Sequence, residues 1–389
     1  MRNLFDELDS TERRFGSGWI SGVVGLFLAI ASLATVICFL FPQWFTVEEA
    51  RVYYIDHQAW IRGVLFVVLL CAFFLGIVST ILRKNRLLGF TTLTIVMVAT
   101  ISGGAQAKPL EDDPSTIYFG LDFFFLNLIF LGAIFIPLER LFKRVDQPIL
   151  RYEWREDLLY LFISTFFVQM LTYLSLFPSL QAIAATHWAS GVRELVASQP
   201  MVLQFIEIMF LTDLAQYWFH RSFHQFPRLW RFHAIHHSAQ AMDWLAGSRM
   251  HVIEVILLRC FTTLPMYFVG FAEPALYAYI IFVYVSSVFI HSNIKLPFGP
   301  LQYIIATPRF HHWHHGKEEE AVDKNFAIHF PVIDMVFGTW HMPEDRWPQE
   351  YGVSGNPVPH GFTKQFFYPF KNPSSKESQA PTNPASREP

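Results

Sequence analysis

Residues 253–290 read IEVILLRCFTTLPMYFVGFAEPALYAYIIFVYVSSVFI, an apolar run interrupted only around Gly270–Pro274. A membrane-spanning helix needs about 20 predominantly apolar residues, so this run predicts two helices that form a hairpin. Glycine and proline mark the turn between them. The run therefore indicates a chain that crosses a bilayer and returns to the side from which it entered.

The same apolar character extends along the rest of the chain. Of the 389 residues, 52% are hydrophobic and only 16% are charged, whereas about 25% charged residues is usual in soluble domains. Further spans are predicted at 18–42, 61–82, 87–107, 117–138, 158–180 and 201–219. Together with the hairpin, these runs predict about eight membrane helices and an all-α, polytopic integral membrane protein.

The distribution of positive charge predicts the orientation of the chain. Clusters of lysine and arginine follow the second and fourth predicted spans: Arg83, Lys84, Arg86, Arg140, Lys143, Arg144, Arg151 and Arg155. By the positive-inside rule, we expect the N-terminus, the segment 220–252 and the residues after 291 to be cytoplasmic. The C-terminus shows no endoplasmic reticulum retention signal, so a bacterial inner membrane is favoured over the endoplasmic reticulum.

Composition also divides the chain and excludes some classes of protein. Residues 1–110 are predicted to be N-terminal membrane helices without clustered chemistry, and residues 117–345 a catalytic membrane domain with core motifs at 200–342. Residues 371–389, rich in Ser, Pro, Lys and Glu, are expected to be disordered.

The net charge of −3 offers no basic surface for nucleic acid. The three cysteines show no pairing pattern, which argues against a disulfide framework.

Histidine is concentrated in three short clusters near the ends of predicted spans. They read His220-Arg-Ser-Phe-His224, His233-Ala-Ile-His236-His237 and His311-His-Trp-His314-His315. Helix positions three and four residues apart share a face, so each cluster can present its histidines to one site. Because all three clusters are predicted on the same side of the membrane, they can meet there. Neutral imidazole is a common metal ligand, and packing does not explain two copies of His-x-x-His-His.

Counted by this spacing, eight histidines are candidate catalytic metal ligands: His220, His224, His233, His236, His237, His311, His314 and His315. A tetrahedral zinc site is filled by four ligands and a catalytic zinc uses three, so eight imidazoles predict two metal ions. Imidazole suits zinc, copper, iron and nickel alike, and the ligand count does not by itself name the metal. His251 and His291, at the two ends of the predicted hairpin, are further candidate ligands. His312 is interpreted as a neighbour of the site.

Acidic residues near the clusters are candidate supports for the ligands. A ligating imidazole usually donates its second N–H to a carboxylate or a carbonyl. Asp213 lies two turns before His220 on the same helix face, and it either supports that ligand or pairs with a cationic side chain. The other candidates are Glu254, Asp243 and Asp323.

The three clusters, in this order and with the hairpin between the second and the third, resemble the fatty acid hydroxylase and sterol desaturase superfamily of membrane oxygenases. Two flanking stretches strengthen the resemblance, Asp323-Lys-Asn-Phe and Asp334-Met-Val-Phe-Gly-Thr. It covers roughly residues 200–342 and, less clearly, 117–200. The block from Thr307 to Gly316, with the flanking stretches, looks closest to the alkylglycerol monooxygenase-like and bacterial sterol desaturase-like branch.

The resemblance implies a four-helix membrane core with a cytosolic cap that holds a histidine-ligated di-iron centre. Two Fe ions with O2 as co-substrate would oxidise an unactivated C–H bond of a membrane lipid such as a fatty acyl chain, an ether lipid or a sterol. Hydroxylation is favoured over desaturation. No flavin or nicotinamide fingerprint occurs, nor does the His-Pro-Gly-Gly motif of a fused cytochrome b5, so a separate donor of the ferredoxin or cytochrome b5 type is implied.

Two functions of other classes compete with this interpretation. A zinc-dependent membrane hydrolase would be expected to carry His-Glu-x-x-His, which the sequence lacks. A metal transporter would line a path across the membrane with its histidines, whereas these clusters lie at the ends of spans on one predicted side. A non-catalytic lipid-binding relative would have lost ligands, and none of the eight is missing.

Overall fold

The computed structural model describes residues 3–10, 13–109, 118–186 and 190–371. Within these ranges the structure is helical, with short 3-10 turns, two isolated bridges and no strand. Helices α1 to α16 are Leu4–Leu8, Trp19–Leu40, Pro42–Phe45, Glu48–Leu82, Leu87–Ile101, Leu121–Leu141, Trp154–Phe166, Val168–Ala185, Ser190–Ala197, Met201–Gln225, Pro227–His237, Val252–Val269, Glu273–His291, Pro308–His314, Pro331–Phe337 and Phe362–Phe367. The predicted all-α class is confirmed, and the predicted disordered tail lies outside the described residues beyond Lys371.

The described helices include seven that are long and apolar enough to cross a membrane. They are α2, α4, the stretch Leu87–Gln106 that contains α5, α6, α8, α12 and α13. Helices α9 and α10 meet at 120° and together give an eighth candidate span. These spans agree with the prediction of about eight membrane helices, and the chain is a multi-pass membrane protein. The predicted hairpin is formed by α12 and α13, and Gly270, with φ of 86°, ends α12 in the left-handed conformation that glycine adopts readily.

Two predicted spans have different limits in the structure. The predicted span 61–82 is the second part of the longer α4, in which the backbone of His57 leaves the helical conformation. The predicted span 158–180 is divided between α7 and α8, with Phe167 between them. Hydropathy reports the length of an apolar run, whereas a break inside the run depends on local backbone geometry.

The chain divides into two compact units, of which the first comprises Met1–Ile129 and Thr165–Gln169. Its described part is built mainly on α2, α4 and α5, which pack against one another. Glycines allow this close packing: a Cβ atom at Gly22 would lie 2.5 Å from the Ser79 hydroxyl oxygen. Small residues at such contacts are the usual means by which membrane helices approach each other.

The second unit comprises Phe130–Ser164 and Met170–Pro389 and contains all three histidine clusters. Helix α10 packs against α12 and α13, and it continues unbroken to Gln225, so that His220 and His224 lie on its last two turns. Helix α11 packs on the same end of α10, and α14 packs on α13. The fold therefore brings the three clusters to one end of the α10–α12–α13 bundle.

Candidate metal centre

Nine histidines converge in two groups, each with ligand atoms that lie within 4.8 Å of one another. The five-histidine group contains His220, His224, His233, His237 and His314. The four-histidine group contains His236, His291, His311 and His315. The structure thus brings together all eight histidines of the three motifs and adds His291, the candidate at the end of the hairpin.

Each His-x-x-His-His motif contributes to both groups. On α11, His233 and His237 join the five-histidine group, whereas His236 joins the other. At α14 the assignment is reversed, since His311 and the following His315 join the four-histidine group and His314 joins the five-histidine group. Residues four apart share a helix face, and the intervening residue is turned away from the later one by about 100°. The two groups are therefore neighbours held by the same two helices.

The Nε2 atoms face one another across each group. In the five-histidine group these Nε2–Nε2 distances are 2.9 Å for His220–His233, 3.1 Å for His233–His237 and 3.0 Å for His237–His314. In the four-histidine group they are 3.2 Å for His236–His291, 2.9 Å for His291–His311 and 3.2 Å for His311–His315. The buried Nε2 of His224 has no hydrogen-bond partner. The donor atoms are thus directed toward two common points.

The Nδ1 atoms of most of these rings make contacts outside the groups. Four of them donate to backbone carbonyls: His220 to Phe326 (2.8 Å), His236 to Arg249 (3.1 Å), His291 to Ser287 (2.6 Å) and His314 to Lys324 (2.7 Å). Because a carbonyl oxygen only accepts, each of these rings carries a proton on Nδ1. A neutral ring protonated there has a bare lone pair on Nε2. The tautomers in this network therefore leave the inward nitrogens free to bind a cation.

The contact between His236 and His291 is one that a bound cation would satisfy. Both rings donate Nδ1–H to carbonyls, yet their Nε2 atoms lie 3.2 Å apart, and two bare lone pairs cannot hydrogen-bond to each other. An additional proton does not resolve the contact, because burial lowers the pKa of His236 well below 6.5 and so disfavours its charged form. A metal ion bound by both nitrogens would satisfy both lone pairs.

The donor chemistry narrows the choice of metal only to a class. Four histidines converge in one group and five in the other, and neutral imidazole is a suitable ligand for zinc, copper, iron and nickel alike.

His251 lies outside both groups, contrary to its expected role as a ligand. Its Nδ1 accepts a hydrogen bond from the backbone N–H of Ile253 (3.2 Å) and so caps the start of α12. Its Nε2 donates to the carbonyl of Phe366 (3.1 Å), on whose ring it stacks. Both ring nitrogens are thus engaged away from the centre. The sequence correctly placed this residue at the start of the hairpin but could not show where its side chain points.

His312 is a neighbour of the centre, as its spacing predicts. Its Nε2 donates to the carbonyl of His291 (3.2 Å), and its Nδ1 accepts from the hydroxyl of Tyr351 (2.7 Å). The residue therefore holds the backbone of a histidine in the four-histidine group.

Two of the four acidic candidates contact histidines of the centre. Glu254 accepts a hydrogen bond from Nδ1 of His233 (2.5 Å), and Asp323 lies 3.3 Å from Nδ1 of His224. Both rings belong to the five-histidine group. These carboxylates occupy the position that carboxylate supports of metal-bound imidazoles usually take.

Asp213 supports the centre through the backbone and not through His220. Its carboxylate accepts the backbone N–H groups of Ile328 (2.8 Å), His329 (3.1 Å) and Phe330 (2.7 Å). This loop also contains the carbonyl of Phe326 that holds His220. Helix spacing correctly placed Asp213 on the face of His220, but the partner of its carboxylate comes from a distant loop.

A buried ion-pair network behind His236 was not predicted from the sequence. Arg249, whose backbone carbonyl accepts from His236, is fully buried and pairs with Asp157 and with Glu153 (2.7 Å). Asp157 also pairs with Arg151, which binds Asp243 (2.7 Å). Asp243 thus supports the network and touches none of the nine histidines. From the sequence, Arg151 was used only as one of the positive charges that predict the orientation of the chain in the membrane. Its burial could not be foreseen, because charged residues in loops are usually exposed.

The histidine-containing region is similar to one family of known proteins. The fatty acid hydroxylase family model matches residues 205–339. The ornithine lipid hydroxylase of Rhizobium tropici is 31% identical over 184 residues, which are 46% of this chain and 54% of that protein. Human alkylglycerol monooxygenase is 30% identical over 34% of this chain and 30% of its own length. The methylsterol monooxygenase 1-1 of Arabidopsis thaliana is 27% identical over 56% of this chain and 74% of its own length.

The matched regions cover about half of the ornithine lipid hydroxylase and under a third of the human monooxygenase. No solved structure matches the chain. The family match includes His220 to His237 and His311 to His315, so it contains every histidine of the two groups.

Proposed function

We propose that this chain is a membrane enzyme that oxidises lipids with two iron ions and O2. Its residues 205–339 match the fatty acid hydroxylase family model, and it is similar to lipid hydroxylases and monooxygenases. The reaction is hydroxylation of a C–H bond in a fatty acyl chain, an ether lipid or a sterol. The observation that carries this proposal is the convergence of bare imidazole lone pairs in two adjacent groups.

The two groups would hold one metal ion each, and their donor chemistry fits iron. Neutral imidazole is a suitable ligand for iron, and the five-histidine group offers more donors than the four that fill a tetrahedral zinc site. When bound, the iron pair supplies the activation of O2 for attack on an unactivated C–H bond.

The chain's own residues keep the imidazoles in the form that binds metal. The carbonyls of Phe326, Arg249 and Lys324 accept Nδ1–H and so hold three lone pairs inward. Burial lowers the pKa of His233, His236, His237, His311, His314 and His315 well below 6.5. These ligands therefore remain neutral at physiological pH without help from a bound cation.

The location of the groups supports a membrane lipid as the substrate. Both groups lie at one end of α10 and α13. Helix α13 is a candidate membrane span, and α10 forms another together with α9. A lipid in the adjoining leaflet needs no transfer through water to reach this end of the bundle. Placement of its carbon within about 1 Å would decide between hydroxylation and desaturation, which is the second candidate reaction.

The remaining partners follow from the same proposal. Each cycle requires electrons, which we assign to a separate ferredoxin or cytochrome b5 because the sequence carries no fingerprint of a redox cofactor. The positive charges that follow the second and fourth spans place the histidine end of the bundle on the cytoplasmic side in this proposal. As the membrane we propose a bacterial inner membrane.

The decisive test is lipid mass spectrometry on a host grown under 18O2 that expresses either the wild type or His236→Ala. A lipid class that gains one labelled oxygen only with the wild type would establish a monooxygenase and identify the substrate class. Loss of two hydrogens without label would establish a desaturase. If no lipid changes and the purified protein contains zinc and no iron, the proposal is wrong, and hydrolase or transport assays take its place.

The substitution Glu254→Gln is expected to weaken metal binding by about 10–100-fold, because the carboxylate orients His233 and raises its basicity. Competition with a chromophoric chelator measures this affinity in the purified protein. Glu320→Gln is the matched control, since Glu320 pairs with Arg346 at the surface and touches no histidine of either group. Equal affinities for the two variants would contradict the role assigned to Glu254.

A further inference from the structure

The residues Phe326 to Phe337, here called the strap, lie along the outer side of α10. The ring of Phe330 contacts that of Phe210, with centroids 6.3 Å apart, and Phe337 contacts Trp218 at 4.9 Å. Phe210 and Trp218 are eight residues apart, which is about 12 Å along a helix. The strap therefore follows α10 in the same direction over roughly two turns.

This part of α10 is expected to face the membrane. Ile206, Phe210 and Trp218 are exposed at helical spacing on α10, which with α9 forms a candidate span. Tryptophan is enriched at the membrane–water interface. Trp218, two residues before His220, therefore marks the interface on the histidine side, and Phe210 marks a level deeper in the bilayer.

The outer surface of the strap is apolar and open. Helix α15 exposes Val332, Met335, Val336 and Phe337, and Val336 has 72% of its surface accessible. The neighbouring 3-10 helix, Gly299–Tyr303, packs against α15 and exposes Leu301 and Tyr303. Apolar patches of this kind mark sites of contact with membranes or other proteins. Here the patch continues the exposed apolar surface of α10.

The five backbone N–H groups at the start of the strap all donate to buried carboxylates. The N–H groups of Phe326 and Ala327 bind the carboxylate of Asp334, and those of the next three residues bind Asp213. The carbonyl of His329 accepts from Ala306 (2.8 Å). The hydrocarbon region offers no water to backbone polar groups, so non-helical backbone at that depth depends on partners within the protein.

We propose that the strap is embedded in the leaflet on the histidine side, with Val332 and Val336 in contact with lipid acyl chains. Continuity with the outer surface of α10 favours lipid over a second protein as the occupant. The carbonyls of Phe326 and Lys324, which hold His220 and His314, lie in the strap or just before it. Lipid contact therefore helps to fix two ligands of the five-histidine group. This inference goes beyond the proposed function, and its test requires no turnover.

The test uses an environment-sensitive fluorophore on a single cysteine in vesicles of phosphatidylcholine and phosphatidylglycerol. Cys38, Cys71 and Cys260 are replaced by alanine, and the probe is attached to Val336→Cys or Val332→Cys in the full chain. Ile206→Cys on α10 is the membrane reference. Glu344→Cys, which is exposed and polar, is the aqueous reference. Quenching by lipids with brominated acyl chains is compared with quenching by iodide in the buffer.

We expect the probes at Val336 and Val332 to behave like that at Ile206, with blue-shifted emission and at least a twofold stronger response to brominated lipid than to iodide. An emission and iodide response equal to those at Glu344 would overturn the proposal, since the strap would then be in water. Protection from both quenchers would also overturn it, because a protein and not lipid would then cover the patch.

Discussion

Alanine in place of His314 is expected to remove at least one metal ion per chain and to lower product formation by more than about 100-fold. Loss of a residue that merely orients a ligand already costs about 10–100-fold in metal affinity, and His314 is placed as a ligand itself. Its Nε2 lies 3.0 Å from that of His237 in the five-histidine group. Metal analysis of the purified protein, together with labelled-oxygen incorporation, measures the two effects.

The matched control is His251→Ala, which also removes a buried histidine from the same unit. His251 caps α12 and contacts Phe366, so its loss is expected to cost about 1 kcal/mol of stability with the metal content unchanged. A lower metal content in His251→Ala than in His314→Ala would overturn the assignment of the two groups.

The substitution Asp157→Ala is expected to be the most destabilising change outside the histidines. Asp157 pairs with both Arg151 and Arg249, and all three side chains are buried. Removing one partner of a buried ion pair leaves an uncompensated charge and costs about 3–5 kcal/mol. In detergent, this loss is expected to lower the midpoint of thermal unfolding by roughly 5 °C, as measured by intrinsic fluorescence.

The substitution Asp157→Ala also tests whether Asp157 positions a metal ligand in addition to stabilising the fold. Arg249 offers its carbonyl to His236, so loss of Asp157 is expected to weaken metal binding by the four-histidine group even at temperatures where the chain remains folded. Asp146→Ala is the control, because its ion pair with Lys143 is exposed. If Asp157→Ala and Asp146→Ala bind metal with the same affinity at such temperatures, the buried network does not position the four-histidine group.

The strap and the ion-pair network have a common physical feature. In both, buried carboxylates hold the residue whose carbonyl accepts a hydrogen bond from a histidine of the centre. Asp213 and Asp334 bind backbone N–H groups at and near Phe326. Asp157 pairs with the guanidinium of Arg249. The carbonyls in turn fix the protonation of His220 and His236. The centre therefore depends on acidic residues that touch none of its histidines.

Much of the architecture could be predicted from the sequence because it depends on local periodicity and composition. Apolar runs of sufficient length predicted the hairpin of α12 and α13, and histidines at i, i+3 and i+4 predicted that each cluster presents one helical face. In this way the sequence predicted the class of protein and the approximate number of spans. It also predicted the eight motif histidines that the structure brings into the two groups. Each of these properties is set by residues close together in the chain.

Only the tertiary structure decided how these residues are used. It divided each His-x-x-His-His motif between two groups. Of the two further candidates from the sequence, it brought His291 into the centre and turned His251 toward Phe366. It also brought a distant loop to Asp213, whose carboxylate binds the backbone N–H of Ile328, and it paired Arg249 with Asp157. These contacts link residues far apart in the chain, and a side chain's partner depends on which elements pack beside it. The sequence alone determined that histidines would meet at one end of a membrane bundle, because local periodicity fixes helices and faces but not the packing between them.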